Sequence, residues 1–151
     1  MKAKEYLSQA LWLNQRIDNK LEQLERLKAM AMRVTVNITQ EKVSGGNNER
    51  SPMEKTIAKI IDLEREINGE IDQLINLKQE ILETIGLVDD PIAQLLLEMR
   101  YINRRTWGEI AGELGYSDRG IHKIHGRALK EIDEIRKSAV KCSEVHTQHM
   151  I

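Results

Sequence analysis

The sequence is poor in aromatic residues, with no phenylalanine, two tryptophans and three tyrosines among 151 residues. Large globular cores usually depend on aromatic rings, so this scarcity argues against one thick core and favours thin packing between helices. Proline is equally scarce, with two residues, and leucine, isoleucine and alanine supply most of the apolar side chains. Together these features predict an all-α protein.

The sequence also lacks the signals that are typical of several classes of protein. One cysteine rules out an internal disulfide, which suits a reducing compartment. No apolar run approaches the roughly 20 residues of a membrane span, and the N-terminal region has no signal-peptide core. The segment "SGGNN" has glycines but lacks the Gly-Lys-Ser/Thr ending of a phosphate-binding loop, and no nucleophile has a base nearby in a recognisable motif. We therefore expect a soluble cytoplasmic protein that is not an enzyme, uses no cofactor and has no membrane partner.

The first half of the chain predicts two long helices. One covers residues 2–33, and the other starts at "SPME", where Ser51 can cap and Pro52 suits the first helical position, and ends near Ile85. Residues 34–50, with two glycines and two asparagines at their centre, predict a flexible connection. Their "VTVNI" part alternates as a strand would, but no partner strand is evident. The pattern therefore predicts a long antiparallel hairpin of coiled-coil type over residues 1–88.

Apolar residues in both helices recur in steps of three and four. The expected seam of the first helix contains Ala10, Asn14, Ile17, Leu21, Leu24, Lys28 and Ala31. The expected seam of the second contains Ile57, Ile60, Glu64, Ile67, Ile71, Leu74, Lys78, Ile81 and Ile85. Closure of the hairpin near residue 45 could bring Lys28 close to Glu64, but the simpler interpretation is that both stems lie along the seam with their charged groups in water. Further apolar residues widen the stripe, which then needs another surface, either a second copy of the chain or the C-terminal domain. These residues are Leu11, Leu27, Ile61, Leu63, Leu77 and Leu82.

Capping signals predict three shorter helices after residue 88. Asp90 and Pro91 start one that runs to about Ile102. Thr106 caps a second that stops at Gly115, and Ser117 caps a third that runs to about Ser138. Residues 89–138 therefore form the predicted second domain, and residues 139–151 are expected to be a disordered tail.

The stretch "WGEIAGELGYSDRGIHKI" has the features of a helix-turn-helix. Ala111 is small where the helices would cross, and Gly115 can adopt the left-handed conformation of the turn. The side chains expected to point inward are Ile110, Leu114, Tyr116, Ile121 and Ile124. The buried face of the last helix continues through Ala128 and Leu129, whereas its opposite face carries basic side chains and two histidines.

Charge is distributed unevenly along the chain. The net charge is −1, but residues 100–130 contain seven Lys/Arg and three acidic residues, a local balance of +4. Since a helix fits the major groove of DNA, we expect this segment to bind a duplex. The residues expected to contact bases are Arg119, His122 and Lys123. The residues expected to contact phosphates are Arg104, Arg105, Thr106, Ser117, Arg127 and Lys130.

Residues 97–132 resemble region 4 of bacterial sigma factors, the part that reads the promoter −35 element. The matching features are Arg100-Tyr101, Thr106-x-x-Glu109-Ile110-Ala111, Leu114-Gly115, Ser117, Ile121-x-x-Ile124 and the run Arg127-Ala128-Leu129-Lys130. The resemblance implies a three-helix DNA-binding fold of the sigma-region-4 type. Asp118, Arg119 and Gly120 stand where primary sigma factors have Arg and Glu, so the base preference is not carried over.

The remainder of the chain does not resemble a sigma factor. Promoter melting needs an aromatic-rich module, and residues 1–88 offer only Tyr6 and Trp12. A long hairpin before a sigma-like reader is similar to small phage and prophage regulators of the RinA and ArpU groups. The resulting hypothesis is a sequence-specific transcriptional regulator that acts as a homodimer or higher oligomer. Alternatives are an adapter that binds RNA polymerase or sigma factor through protein contacts, and a small terminase-like DNA-packaging subunit.

A zinc site is the other hypothesis for His122 and His125, which lie three residues apart. Cys142, His146 and His149 offer further ligand types, but no Cys-x-x-Cys pair is present. We therefore expect no metal site and interpret both histidines as surface residues of the last helix.

Overall fold

The computed structural model describes residues 1–40 and 52–148, with side chains described for 1–33 and 52–140. The long helices are α1 (Ala3–Gln40) and α2 (Pro52–Ile85). The shorter α3 (Pro91–Leu97) continues into a π-helical turn, Glu98–Ile102, and is followed by α4 (Trp107–Leu114) and α5 (Asp118–Gln148). The described residues contain no strand. The structure therefore confirms the predicted all-α class, a helical hairpin followed by a small helical domain.

Two helices are longer than the sequence suggested. Helix α1 continues through the "VTVNI" segment to Gln40, where we had expected a break after residue 33 and a strand-like pattern. Helix α5 continues to Gln148 rather than ending near Ser138. Neither extension contains a glycine or proline, and β-branched residues lower helix propensity by less than about 1 kcal/mol each. The expected cap at Ser51 and the glycines at 45 and 46 lie outside the described residues.

The chain divides into two compact units, of which one contains Leu13–Leu74. In this unit α1 and α2 run antiparallel, because Lys20 pairs with Glu66 and Glu70 while Lys28 pairs with Glu64. Lys28 Nζ lies 3.5 Å from Glu64 Oε1, and the two side chains remain 56% and 45% exposed, so the pair forms while both charged groups keep contact with water. The buried seam consists of Ile17, Leu24, Ile67 and Leu74.

The predicted seam was too wide. Leu21, Ile57 and Ile71 were expected inside it, but all three are exposed. A single partner helix covers only a narrow line of positions seven residues apart, such as 67 and 74. Residues three or four positions away from these lie at the margin of the contact and stay at least partly exposed.

The other unit contains Met1–Trp12 and the chain from Ile75 onward. Here the first turns of α1 pack with the end of α2 and with the shorter helices. The Tyr6 hydroxyl lies 3.1 Å from Thr84 Oγ1, and the Arg136 guanidinium lies 4.1 Å from the centre of the Tyr6 ring. The core side chains with almost no exposure are Leu7, Ala10, Ile81, Ile85, Val88, Leu96, Leu97, Tyr101, Ile110, Ile121, Ala128 and Ile132. The predicted domain boundaries at residues 88 and 138 stay a prediction.

Local capping determines where the short helices begin. The Asp90 carboxylate accepts a hydrogen bond from the Ile92 amide at 3.0 Å, with Pro91 in the first turn as predicted. Thr106 Oγ1 accepts from the Glu109 amide at 3.3 Å, and Ser117 Oγ accepts from the Gly120 amide at 3.1 Å. These contacts satisfy amide groups that have no partner within their own helices. None of the helices in the described part of the chain carries an apolar stretch long enough to span a lipid bilayer.

Candidate nucleic-acid interface

The turn between α4 and α5 has the geometry that the sequence predicted. Gly115 adopts a left-handed conformation with φ 72°, and its amide donates to the Ala111 carbonyl at 3.0 Å. The Tyr116 amide donates to the same carbonyl at 3.1 Å. Ile110 of α4 and Ile121 and Ile124 of α5 are buried, so this turn packs the apolar side of α5 onto the domain.

One correction concerns Tyr116 and Leu114, which were expected to point inward. Tyr116 leaves 39% of its surface exposed, and Leu114 is half-buried, as is Leu129 further along α5. The turn places Tyr116 outside the line of Ile110 and Ile121, and its ring lies over Gly120, where an added Cβ would be 3.7 Å from Tyr116 Cδ1.

The polar face of α5 collects the residues expected to contact bases. Arg119, His122 and Lys123 are all exposed. His122 and Lys123 line a shallow groove together with Gly126, Arg127 and Lys130. These positions are three or four residues apart and therefore share one face of the helix. The groove lining contains basic side chains and an imidazole but no carboxylate.

The residues expected to contact phosphates are placed in three different settings. Arg127 and Lys130 lie in the groove itself. Thr106 and Ser117 use their hydroxyl oxygens as helix caps, which leaves each O–H able to donate to an anion. Arg104 is exposed just before α4 and has a φ of 60°, a conformation that costs a non-glycine residue roughly 1 kcal/mol.

Arg105 is held more tightly than the other basic residues. Its guanidinium pairs with Glu113, its amide donates to the Met99 carbonyl at 3.0 Å, and its carbonyl accepts from Arg100 Nη1 at 3.0 Å. Contact with a phosphate would require the guanidinium to share or leave Glu113.

His125 is buried, which corrects the expectation that both histidines lie on the surface. It leaves 8% of its surface exposed, its Nε2 lies 2.7 Å from the Tyr101 hydroxyl, and its ring meets Trp107 edge-on at 4.6 Å. Burial lowers the pKa of His125 to about 4, with smaller contributions from the charges of Lys4, His122 and Arg100. Burial likewise raises the pKa of Tyr101 to about 12. His125 therefore belongs to the packing of the domain and cannot present its ring to a ligand.

Trp107 is the residue of this region that the sequence reasoning missed. Its indole contacts His125 on the inside and His122 on the outside, with a centroid distance of 4.8 Å to the latter. The Arg100 guanidinium lies 4.7 Å from the same ring. Trp107 therefore supports the His122 ring at the margin of the groove.

Metal ligands do not converge in the described residues, where no group of three or more His, Cys, Asp or Glu side chains is close enough to hold an ion. The side chains of Cys142, His146 and His149, named in the zinc hypothesis, lie outside the described part of the chain.

Comparison with known protein families finds a match over most of the chain. The model of a family described as a protein of unknown function, DUF1492, matches residues 32–133. This range includes α2, α3, α4 and the groove-forming part of α5. No curated protein and no solved structure matches the chain. Because the matched range exceeds half of the sequence, the chain belongs to the DUF1492 family.

Proposed function

We propose that this chain is a sequence-specific DNA-binding transcriptional regulator that reads the major groove with the polar face of α5. The observation that carries the proposal is the groove of His122, Lys123, Gly126, Arg127 and Lys130, which is basic, open and free of carboxylates. The opposite side of the same helix is anchored by Ile121, Ile124 and Ala128. A helix fixed on one side and basic on the other can enter a duplex without unfolding any part of the domain.

The roles within the interface follow from position. Arg119, His122 and Lys123 lie in the first two turns of α5, where a helix in the major groove reaches base edges. Arg127 and Lys130 lie further along, where they can contact the phosphate backbone. Among the described residues, neither Arg119 nor Lys123 has a carboxylate partner within ion-pair distance, so both are available to a ligand.

The resemblance of residues 97–132 to sigma region 4 supports the same proposal, as does the likeness of the architecture to phage and prophage regulators of the RinA and ArpU groups. On this basis we propose a phage or prophage regulator that has no enzymatic activity. We further propose that it acts as a homodimer or higher oligomer.

Selection from random fragments of genomic DNA at several salt concentrations tests the proposal. A reader of this kind enriches a short motif. If Arg104, Arg105, Arg127 and Lys130 each neutralise one phosphate, affinity should fall on the order of 100-fold between 50 and 200 mM salt. Failure to enrich any motif, together with salt-independent binding, would reject DNA reading.

Alanine variants separate base contacts from phosphate contacts. We expect Arg119→Ala and Lys123→Ala to cost roughly 1–3 kcal/mol on the selected motif and to relax the sequence preference. Arg105→Ala and Arg127→Ala should weaken all sequences alike and reduce the salt slope by about one each. Lys137→Ala removes a cation from an exposed position of α5 outside the groove and is the matched control. Equal effects from all four test variants would contradict the assigned roles.

The two alternative functions predict different results for this selection and for co-purification with polymerase. An adapter that binds RNA polymerase or sigma factor would select no motif and would co-purify with polymerase. A small terminase-like subunit would bind DNA, but its preferred sites would lie near packaging signals and not near promoters.

A further inference from the structure

The unit containing Leu13–Leu74 buries little of its apolar surface. Four of its described large apolar side chains lie in the buried seam, whereas Leu21, Ile57, Ile61 and Ile71 each leave between 37% and 46% of their surface exposed. A pair of helices that share one narrow seam is only marginally stable on its own. We therefore expect another protein surface to cover the exposed isoleucines.

These four exposed residues lie on one edge of the helical pair. Lys28 and Glu64 contact each other at this edge. Leu21 lies seven residues before Lys28 in α1, and Ile71 lies seven residues after Glu64 in α2. Ile57 and Ile61 lie seven and three residues before Glu64 and so share its face of α2. Lys20, Glu66 and Glu70 form ion pairs at the opposite edge. We call the first edge the apolar edge, consisting of Leu21, Lys28, Ile57, Ile61, Glu64, Asn68 and Ile71.

We propose that a second copy of this chain covers the apolar edge, with the two α2 helices antiparallel and a two-fold axis between Glu64 and Asn68. The sequence of α2 is symmetric about this point. Ile61, Glu64, Asn68 and Ile71 are separated by steps of three, four and three, so the spacing is the same in both directions. An antiparallel pair places Ile61 opposite Ile71 of the second copy, and Glu64 opposite Asn68 of the second copy.

Polar complementarity selects the antiparallel arrangement. The Asn68 side-chain amide has two N–H donors, and the Glu64 carboxylate accepts hydrogen bonds. Asn68 of each copy can therefore donate to Glu64 of the other copy. A parallel pair would instead place two Glu64 carboxylates against each other, with repulsion at the centre of the interface. Two-fold symmetry requires a self-complementary patch, and this arrangement of residues supplies one.

This inference gives a surface and an orientation to the oligomer proposed above and does not depend on DNA binding. Size-exclusion chromatography with light scattering on the full chain tests it. We expect a dimer for the wild type. Ile61→Glu and Ile71→Glu should each raise the dimer dissociation constant on the order of 100-fold, because two-fold symmetry introduces every substitution twice.

Met30→Glu is the matched control. Met30 is also an exposed apolar residue of this unit, but it is two positions from Lys28 and therefore points away from the apolar edge. We expect this variant to remain a dimer. Circular dichroism checks that every variant keeps its helix content, and a variant that has lost it is replaced by Ile61→Ser or Ile71→Ser.

Cysteine cross-linking tests the orientation. In a Cys142→Ser background, we expect chains carrying Glu64→Cys to form disulfides with chains carrying Asn68→Cys faster than either chain does with itself. A monomeric wild type would overturn both the oligomer and this interface. A dimer that resists Ile61→Glu and Ile71→Glu, or that cross-links fastest between like positions, would overturn this interface alone. DNA selection reports separately on α5.

Discussion

His125 is a titratable side chain that the fold keeps away from water. Its pKa of about 4 lies below the 6.5 of an unhindered imidazole, so the unfolded chain binds a proton more readily than the folded one. The stabilisation that this difference provides is present in full above pH 6.5 and is lost as the pH falls towards 4. It amounts to roughly 3 kcal/mol.

We therefore expect His125→Gln to flatten the fall in unfolding free energy between pH 6.5 and pH 4. Urea unfolding at several pH values measures this, and the difference from the wild type removes the contribution of titrating carboxylates. Tyr101→Phe is the informative control, because it removes the hydrogen bond but leaves the imidazole buried. That variant should lose about 1 kcal/mol at neutral pH and keep the wild-type slope. Parallel slopes for the wild type and His125→Gln would show that burial of His125 does not govern the acid response.

Alanine substitutions at Gly115 and Gly112 test the backbone geometry of the turn and of α4. Gly115 has a φ of 72°, and no atom lies within 4 Å of a Cβ added there, so Gly115→Ala adds backbone strain without a steric clash. It should destabilise the chain by about 1 kcal/mol. Gly112 lies inside α4 with equally open surroundings, and Gly112→Ala should stabilise by roughly 0.5–1 kcal/mol. Thermal unfolding measures both, and shifts of the same sign would be inconsistent with the turn geometry.

The beginning of α1 depends on a side chain from α5. The Ala3 amide donates to Asp133 Oδ1 at 2.8 Å, in the manner of a cap supplied by a distant helix. Asp133→Ala should cost about 1 kcal/mol and accelerate hydrogen exchange in the first turn of α1. Asp133→Asn retains an acceptor oxygen and should have a smaller effect, and Glu134→Ala, at an exposed neighbouring position, should have none. Unchanged exchange in Asp133→Ala would mean that the turn needs no such cap.

The starts of the helices were predictable because their signals are local. Asp90, Thr106 and Ser117 cap through amides two or three residues away, and Gly115 terminates α4 through its own backbone. The ends of α1 and α5 were misplaced because polar composition alone does not stop a helix in the absence of glycine or proline. The heptad pattern could not predict the exposure of Leu21, because the burial of a seam residue depends on how many other helices pack against its own helix.

The candidate interface was predictable in part. The basic face of α5 follows from periodicity, and Arg119, His122 and Lys123 are exposed as expected. The burial of His125 had a signal that was overlooked, since it lies four residues after Ile121 and seven before Ile132, on the apolar face. The contacts of Trp107 with both histidines could not be foreseen, because they depend on how α4 packs against α5.

For the whole molecule, dimerisation through α2 and DNA binding through α5 would together determine the symmetry of the target DNA. A dimer with two-fold symmetry presents two α5 helices related by that axis, so its preferred site should be an inverted repeat. We expect Ile61→Glu to select only one half of the repeat, with lower affinity. Sequencing of the selected duplexes measures this. A motif without symmetry in the wild type would mean that one α5 helix reads alone.

The hydrogen bonds between the beginning of α1 and α5 also constrain the order in which a nascent chain folds. The Met1 carbonyl accepts a hydrogen bond from Arg136 Nη1 at 2.9 Å, and Ala3 depends on Asp133 in the same way. A ribosome adding about 5–20 residues per second would expose the beginning of α1 on the order of ten seconds before those partners are even synthesised. Throughout that interval the Ala3 amide has no cap from α5. The first turn of α1 must therefore gain its cap late in translation, when α5 emerges from the exit tunnel.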